Sequence, residues 1–114
     1  MATILVRSQN FSPKSTLETL DLGKDLQDLV GNLVIASAVV VVVVEAGTDD
    51  NPQGMRVGAP VIAGTVVTQR ITGGLAGNVY CLSFQVTTAD GQTFEELGYL
   101  PVQASPAPPL VIPG

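Results

Sequence analysis

Hydrophobic and polar positions alternate most clearly in the segment from Asn78 to Val102. Its first half places four bulky apolar residues two positions apart: Tyr80, Leu82, Phe84 and Val86. This period of two is typical of a strand with one buried face. Asp90-Gly91 then supplies a tight-turn dipeptide, and the chain returns to Pro101, which suits a strand end. The segment therefore predicts a β-hairpin in which the Tyr80 side chain points inward.

Six consecutive valines, Val39–Val44, lie within the most apolar stretch of the chain. The twelve residues from Leu33 to Val44 would span only about 18 Å as a helix, well short of the roughly 30 Å of a membrane core. β-Branched side chains also disfavour a helix. The pattern predicts a central strand over Val34–Glu45 that is buried on both faces, in a soluble protein.

Other segments have the length and composition of short strands. Val57–Ala63 and Thr65–Ile71 are β-branched runs separated by Gly64. Thr16–Leu22 is interpreted as an edge strand followed by a polar turn over Gly23–Asp28. Together with the hairpin they bring the total to about seven strands, the number typical of an immunoglobulin-like sandwich.

The first third of the chain allows a second interpretation. Four apolar residues have helical spacing and precede a stop signal at Gly31-Asn32: Leu22, Leu26, Leu29 and Val30. One helical turn within Asp21–Val30 is therefore the alternative to a turn. Thr3–Arg7 likewise fits either a short strand or an extended arm.

The two ends of the chain differ from its middle. We predict an extended arm over residues 1–12, an all-β immunoglobulin-like sandwich over residues 13–102 and a proline-rich tail over residues 103–114. Ser105–Pro109 favours an extended, polyproline-like chain, and Leu110–Ile112 is an apolar tip. The tail is either a frayed end or a tether that docks on a neighbouring subunit.

Composition and charge narrow the possible functions. The 114 residues are 46% hydrophobic and only 13% charged, so part of the apolar surplus is expected at an interface. The net charge of −5 argues against nucleic-acid binding, which requires basic patches. The one cysteine, Cys81, excludes an internal disulfide, and in mid-strand it is expected to be a small buried or half-buried hydrophobe rather than a reactive thiol.

No pattern of residues predicts catalysis, a cofactor or a metal site. The chain has no histidine, the commonest general base and metal ligand. Asp49-Asp50-Asn51 lacks the spacing of a calcium-binding loop, so a turn is preferred and a bound ion is the alternative. The glycine-rich loop Gly73–Gly77 lacks the spacing of a phosphate-binding loop. We expect a structural protein without a cofactor rather than an enzyme.

An ordered set of short motifs covers nearly the whole chain from Phe11 to Val102. In chain order it consists of Phe11–Lys14, Glu18–Leu22, Lys24–Leu26, Ile35–Ala38, the valine run, Gly47–Pro52, Gly58–Pro60, Val67–Ile71, Gly73–Gly77, Tyr80, Thr87–Gly91 and Leu100–Val102. This set resembles small immunoglobulin-like virion proteins of tailed bacteriophages, described as fibre–tail adaptor or neck proteins. The chain departs from the pattern at Leu22-Gly23-Lys24, where many relatives carry an aromatic pair.

The resemblance implies a virion structural protein, made in the host cytoplasm, that bridges the tail or portal region to fibres. The implied partners are other virion proteins and further copies of the chain in a ring, with no nucleic acid and no membrane. A head–tail joining or capsid decoration protein is the second interpretation. A host-surface or carbohydrate-binding module, with Tyr99 and Phe94 as stacking platforms, is the third.

Assembly contacts are expected at the two ends of the chain, because exposed arms are satisfied by neighbouring copies in a ring. The predicted contact residues are Ile4, Val6 and Phe11 in the arm, and Pro106, Pro108, Pro109, Leu110, Val111 and Ile112 in the tail.

Overall fold

The computed structural model describes residues 5–104, with side chains from residue 11 onward. Its elements are, in chain order, β1 (Leu5–Asn10), β2 (Lys14–Ser15), β3 (Thr19–Asp25), the single helical turn α1 (Gln27–Val30), β4 (Ile35–Ala46), a 3₁₀ turn (Pro52–Met55), β5 (Arg56–Ala63), β6 (Val66–Thr72), β7 (Val79–Thr88) and β8 (Thr93–Gln103).

Two sheets make up the described part of the chain. The larger sheet has the strand order β1-β8-β7-β4, and the two-residue strand β2 also pairs with β8; the smaller sheet has the order β3-β6-β5. β1 and β2 run parallel to β8, whereas the other pairs are antiparallel. The predicted all-β sandwich of about seven strands is confirmed.

The predicted hairpin is β7 and β8. Tyr80 pairs with Leu100 and Val86 with Phe94 across the two strands, and all four side chains are buried. Gly91 takes a positive φ of 90° in the connecting turn, a conformation that glycine adopts without strain. The alternation read from the sequence therefore places the correct side chains inside.

The core lies between the two sheets and draws on both. The larger sheet contributes apolar side chains from β4, β7 and β8, the smaller sheet contributes Val67 and Ile71, and α1 with its preceding residue contributes Val30 and Leu26. Burying each such side chain stabilises the fold by roughly 1.5–3 kcal/mol before entropy is counted. The helical turn thus closes one end of the sandwich.

The valine run forms a strand, but its predicted central position and its predicted burial on both faces are wrong. Val40 and Val42 have no exposed surface, whereas Val39 and Val43 are 51% and 47% exposed. β4 ends the strand order of its sheet, and successive side chains of a strand point to opposite faces. Only one face of the run therefore reaches the core.

No helix within the described residues is long and apolar enough to cross a membrane.

The two interpretations of residues 16–30 are each correct in part. The strand exists, but it starts at Thr19 and continues to Asp25, through the Gly23–Asp28 segment predicted as a turn. The helical turn follows at Gln27–Val30. β3 extends further than predicted because β6 offers it a full antiparallel partner, from Thr19↔Thr72 to Asp25↔Val66. Pairing with a neighbouring strand here outweighs the local turn propensity of glycine and aspartate.

Candidate assembly surfaces

The predicted N-terminal arm lies along the edge of the larger sheet. Leu5–Asn10 pairs in parallel with Phe94–Tyr99 of the same chain, and Val6 is opposite Glu95. Ile4 lies outside the described residues. The backbone of β1 therefore covers the edge of β8, which would otherwise present unpaired N–H and C=O groups.

Phe11 anchors this arm inside the sandwich. Its N–H donates to the Tyr99 carbonyl at 2.8 Å, and its ring lies 6.2 Å from the Phe84 ring centroid in a tilted arrangement. Gly98 provides the space, because a Cβ at that position would overlap the Phe11 ring. The structure thus gives Phe11 an intramolecular contact, and its contact with a neighbouring copy stays a prediction.

A buried charge pair crosses between the two sheets next to Phe11. Lys24 on β3 and Glu96 on β8 are 3.6 Å apart, with side chains only 4% and 1% exposed. The Lys24 ammonium also lies 4.5 Å from the Phe11 ring centroid, within cation–π range. The pair therefore joins β3 of the smaller sheet to β8 of the larger sheet inside the sandwich.

The free edge of the valine strand is partly capped. The Gln53 side chain accepts a hydrogen bond from the Val42 N–H, and the Arg56 guanidinium donates to the Val40 carbonyl at 3.2 Å. Arg56 also donates to the Gln53 carbonyl at 3.4 Å, which ties the two caps together. Pairing with a strand of another chain is therefore blocked at the middle of β4.

The Tyr80 hydroxyl joins two loops at one end of the sandwich. It donates to Asp49 Oδ2 at 2.8 Å and accepts hydrogen bonds from Leu75 N–H at 2.9 Å and Asn78 Nδ2 at 3.2 Å. Burial raises the pKa of Tyr80. The Asp49 carboxylate also accepts a hydrogen bond from the Asn51 N–H at 2.9 Å, so it stabilises the turn of its own loop. Within the described residues no three acidic or cysteine side chains are grouped as metal ligands.

The outer face of the larger sheet is only partly apolar. Val39 and Val43 are exposed there, but Cys81 at the centre of the face is 6% exposed. Burial is the main cause that raises the pKa of the Cys81 thiol, and the charges of Glu45 and Glu95 raise it further.

Phe94, predicted as a carbohydrate platform, points into the core and is 5% exposed. It therefore cannot stack on a sugar ring.

A concave surface lies on the outer face of the smaller sheet, and we call it the hairpin cleft. It has a volume of about 460 Å³ and is lined by Asp21, Val57, Ala59, Val61, Thr68 and Arg70. Val57 and Val61 are 42% and 63% exposed. Apolar side chains left this open on a concave surface are typical of a binding region.

A bulge in β5 shapes the hairpin cleft. Val57 pairs with Arg70 and Val61 with Thr68, so three residues of β5 lie opposite the single residue Gln69. Gly58 takes a positive φ of 74° in this bulge. The buried Gln69 amide donates to the Gly58 carbonyl at 3.1 Å, compensating a backbone group that the bulge removes from the ladder.

One ion pair borders the cleft. Arg70 Nε and Asp21 Oδ1 are 2.8 Å apart, and a second contact joins Arg70 Nη2 to Asp21 Oδ2 at 3.3 Å. These hydrogen bonds lower the pKa of Asp21 and raise that of Arg70. The two charges therefore neutralise each other, and the other residues that line the cleft are uncharged.

Sequence reasoning missed the hairpin cleft. The available signal was a run of thirteen residues, Val57–Gln69, that contains no charged side chain although it includes two turn-forming glycines and a proline. Such a run is unusual for an exposed hairpin. The predicted tail contacts Pro106, Pro108, Pro109, Leu110, Val111 and Ile112 lie outside the described residues.

Comparison with solved structures shows the fold alone. A crystal structure of a 2,6-sialyltransferase from Vibrionaceae Photobacterium sp. JT-ISH-224, in a ternary complex with CMP and lactose, matches with a TM-score of 0.53 and 14% identity. The match covers 91% of this chain but only 19% of that protein. No curated protein sequence matches the chain.

The family comparison is more specific. The model of the podophage GP4 fiber-tail adaptor protein gp77 family matches residues 14–101. This range contains all the strands of both sheets except β1 and the last two residues of β8. It also spans almost all of the motif set from Phe11 to Val102, so the resemblance read from the sequence is confirmed, and the chain belongs to the podophage fibre–tail adaptor family.

Proposed function

We propose that this protein is a structural adaptor in the tail of a podophage-like virion, where it joins fibres to the tail or neck. Membership of the fibre–tail adaptor family carries this proposal. Two outer surfaces with exposed valines, one on each sheet, give the protein separate places at which to hold two partners. We propose no enzymatic role.

We further propose that several copies stand side by side in a ring and that the proline-rich tail connects neighbours. A ring requires a head-to-tail interface between two different surfaces of each copy. The net charge of −5 is spread thinly over the chain, so neighbouring copies repel one another only weakly at physiological salt.

The proposal is tested with phage particles that lack the protein. A nonsense mutation in its gene should yield particles with tails but without fibres, counted by electron microscopy. Addition of the purified protein together with purified fibres should restore both fibres and infectivity. Particles that keep a full set of fibres would contradict the adaptor role.

The same particles separate the two other interpretations. A head–tail joining or decoration protein would leave tailless or unstable heads when it is missing. A carbohydrate-binding module would leave fibres in place and reduce only adsorption, and glycan binding by the purified protein would be lost in Tyr99→Ala. Phe94 is buried, which leaves this module without its second platform.

A further inference from the structure

The hairpin cleft is an apolar surface that the fold itself does not use. Val57 and Val61 stay largely exposed, and Ile62 on the same hairpin is 37% exposed. The two charged residues among those lining the cleft, Asp21 and Arg70, are bound to each other. A ligand for this cleft therefore needs aliphatic side chains and gains little from charge.

The tail of the chain has this chemistry. Residues 104–114 contain no charged side chain, and the aliphatic triplet Leu110–Ile112 is bordered by Pro109 and Pro113. Proline-rich segments lose little conformational entropy when they bind as extended chains. The triplet supplies three branched side chains to a cleft whose volume of about 460 Å³ suits a short apolar segment.

The positions of cleft and tail favour a contact between copies. The tail leaves from Gln103 at the end of β8 in the larger sheet, whereas the cleft opens on the outward face of the smaller sheet. Donor and acceptor thus lie on different sides of one sandwich. This is the arrangement that a heterologous, ring-closing interface requires.

The length of the tail is sufficient for such a contact. Leu110–Ile112 lies six to eight residues beyond Ala104, so in a polyproline-like conformation the triplet would reach about 19–25 Å from it. Packed sheets are separated by about 10 Å, so the tail of one copy can pass the junction and reach the outer face of the next.

We propose that the hairpin cleft of each copy binds Leu110–Ile112 of a neighbouring copy. The inference rests on the proposed function, because the copies must stand side by side for the tail to reach. It assigns a docking place to the predicted tether, and it makes the exposed valines of β5 an inter-subunit surface.

The decisive experiment is site-directed cross-linking in phage particles. A full-length variant with Cys81→Ser, Val61→Cys and Ile112→Cys is supplied to the nonsense mutant, and particles are purified, oxidised and run on a non-reducing gel. The neighbour contact predicts a ladder of linked multimers. A matched control replaces Val61→Cys by Val34→Cys, a valine of similar exposure (68% against 63%) that precedes β4 of the other sheet, and should stay monomeric.

The other outcomes would contradict the neighbour contact, the cleft as docking place or the adaptor function. A monomer that migrates faster because of an internal disulfide would show that the tail docks on its own chain, and the neighbour contact would be wrong. Incorporated protein that gives no ladder, or the same ladder with Val34→Cys, would overturn the cleft as the docking place. Unmutated protein that is absent from the particles would overturn the adaptor function, and the inference would fall with it.

A binding measurement keeps the test independent of particle assembly. A fluorescent peptide of residues 103–114 is titrated onto the full-length purified protein and followed by anisotropy. Val61→Lys should weaken binding at least tenfold, whereas Val39→Lys should leave it unchanged. Equal binding by the two variants, or no binding by the unmutated protein, would contradict recognition of the tail by the cleft.

Discussion

The two faces of the valine strand consist of the same residue and have different roles. Val40 and Val42 are completely buried against the smaller sheet, whereas Val39 and Val43 are about half exposed on the outside of the larger sheet. The intrinsic properties of these side chains are identical. Their difference comes entirely from which side of the sheet faces another layer, so hydrophobicity alone does not identify a core residue.

The core-facing sides of the two sheets also carry the most specific contacts of the fold. Phe11 fits over Gly98, Lys24 pairs with Glu96, and the Tyr80 hydroxyl joins two loops. We therefore expect substitutions on the inner face to affect stability and those on the outer face to affect contacts with other proteins.

The largest expected effect comes from placing a charge on each side of the valine strand. Val42→Lys would bury an ammonium without a partner and should cost about 4 kcal/mol or more, enough to unfold much of the protein. Val43→Lys places the same side chain at the surface, where it should change stability by less than about 1 kcal/mol. Urea unfolding followed by circular dichroism measures both, and similar losses would contradict the division into two faces.

The fit of Phe11 over Gly98 should give the next largest effect. Gly98→Ala introduces a methyl group that overlaps the Phe11 ring, and overpacking of this kind costs about 2 kcal/mol. If the contact is the cause, Gly98→Ala should cost much less in a Phe11→Ala background. Thermal unfolding of the two single variants and the double variant gives this comparison. Purely additive losses would show that the ring is not the obstacle.

Removal of the Tyr80 hydroxyl should have a smaller effect that depends on pH. Tyr80→Phe leaves hydrogen-bonding partners in two loops unsatisfied and should cost about 1–2 kcal/mol at pH 7. Because the pKa of Tyr80 is raised by burial, the folded state holds this proton more tightly than the unfolded state does. The contribution is therefore complete below the ordinary tyrosine pKa of about 10 and is lost as the pH rises through the folded-state value.

The stability difference between the unmutated protein and Tyr80→Phe should accordingly shrink at alkaline pH. Urea unfolding of both proteins at pH 7, 9 and 10.5 tests this directly. The comparison with the variant removes contributions from other titrating groups. A difference that stays constant over this range would mean that the hydroxyl titrates normally.

The smallest expected effect concerns Cys81 on the outer face. Its pKa is raised by burial and by nearby carboxylates, so the reactive thiolate is scarce near neutral pH. We expect slow reaction with a disulfide reagent in the native state, fast reaction in urea, and an unchanged free energy of unfolding in Cys81→Ser. Rapid native modification at pH 7 would show that the outer face is more open than its 6% exposure at Cys81 indicates.

Much of the fold could be predicted from local patterns. The β7–β8 hairpin, with Tyr80 pointing inward and Asp90-Gly91 at the turn, follows from a period of two and a turn dipeptide that depend only on adjacent residues. β5 and β6 were placed within one residue of their observed bounds for the same reason. The ordered motifs also indicated the family that the comparison confirmed.

The candidate sites were harder to predict, because they combine residues that are distant in sequence. The hairpin cleft brings Asp21 of β3 next to Arg70 of β6 and Val57 of β5. Its depth arises from a register shift between two strands, and a register shift leaves no local pattern. The same limit applies to the Lys24–Glu96 pair, whose members are joined only by the packing of one sheet on the other.

The sequence by itself determined which segments become strands, where the main hairpin turns and which family the chain belongs to. Those properties depend on backbone sterics and on side-chain alternation over a few residues. Only the tertiary structure decided which side of the valine strand is buried, where Phe11 goes and where a cleft opens. Such features depend on which layer each sheet packs against and on strand register, and both are set by contacts between residues far apart in the chain.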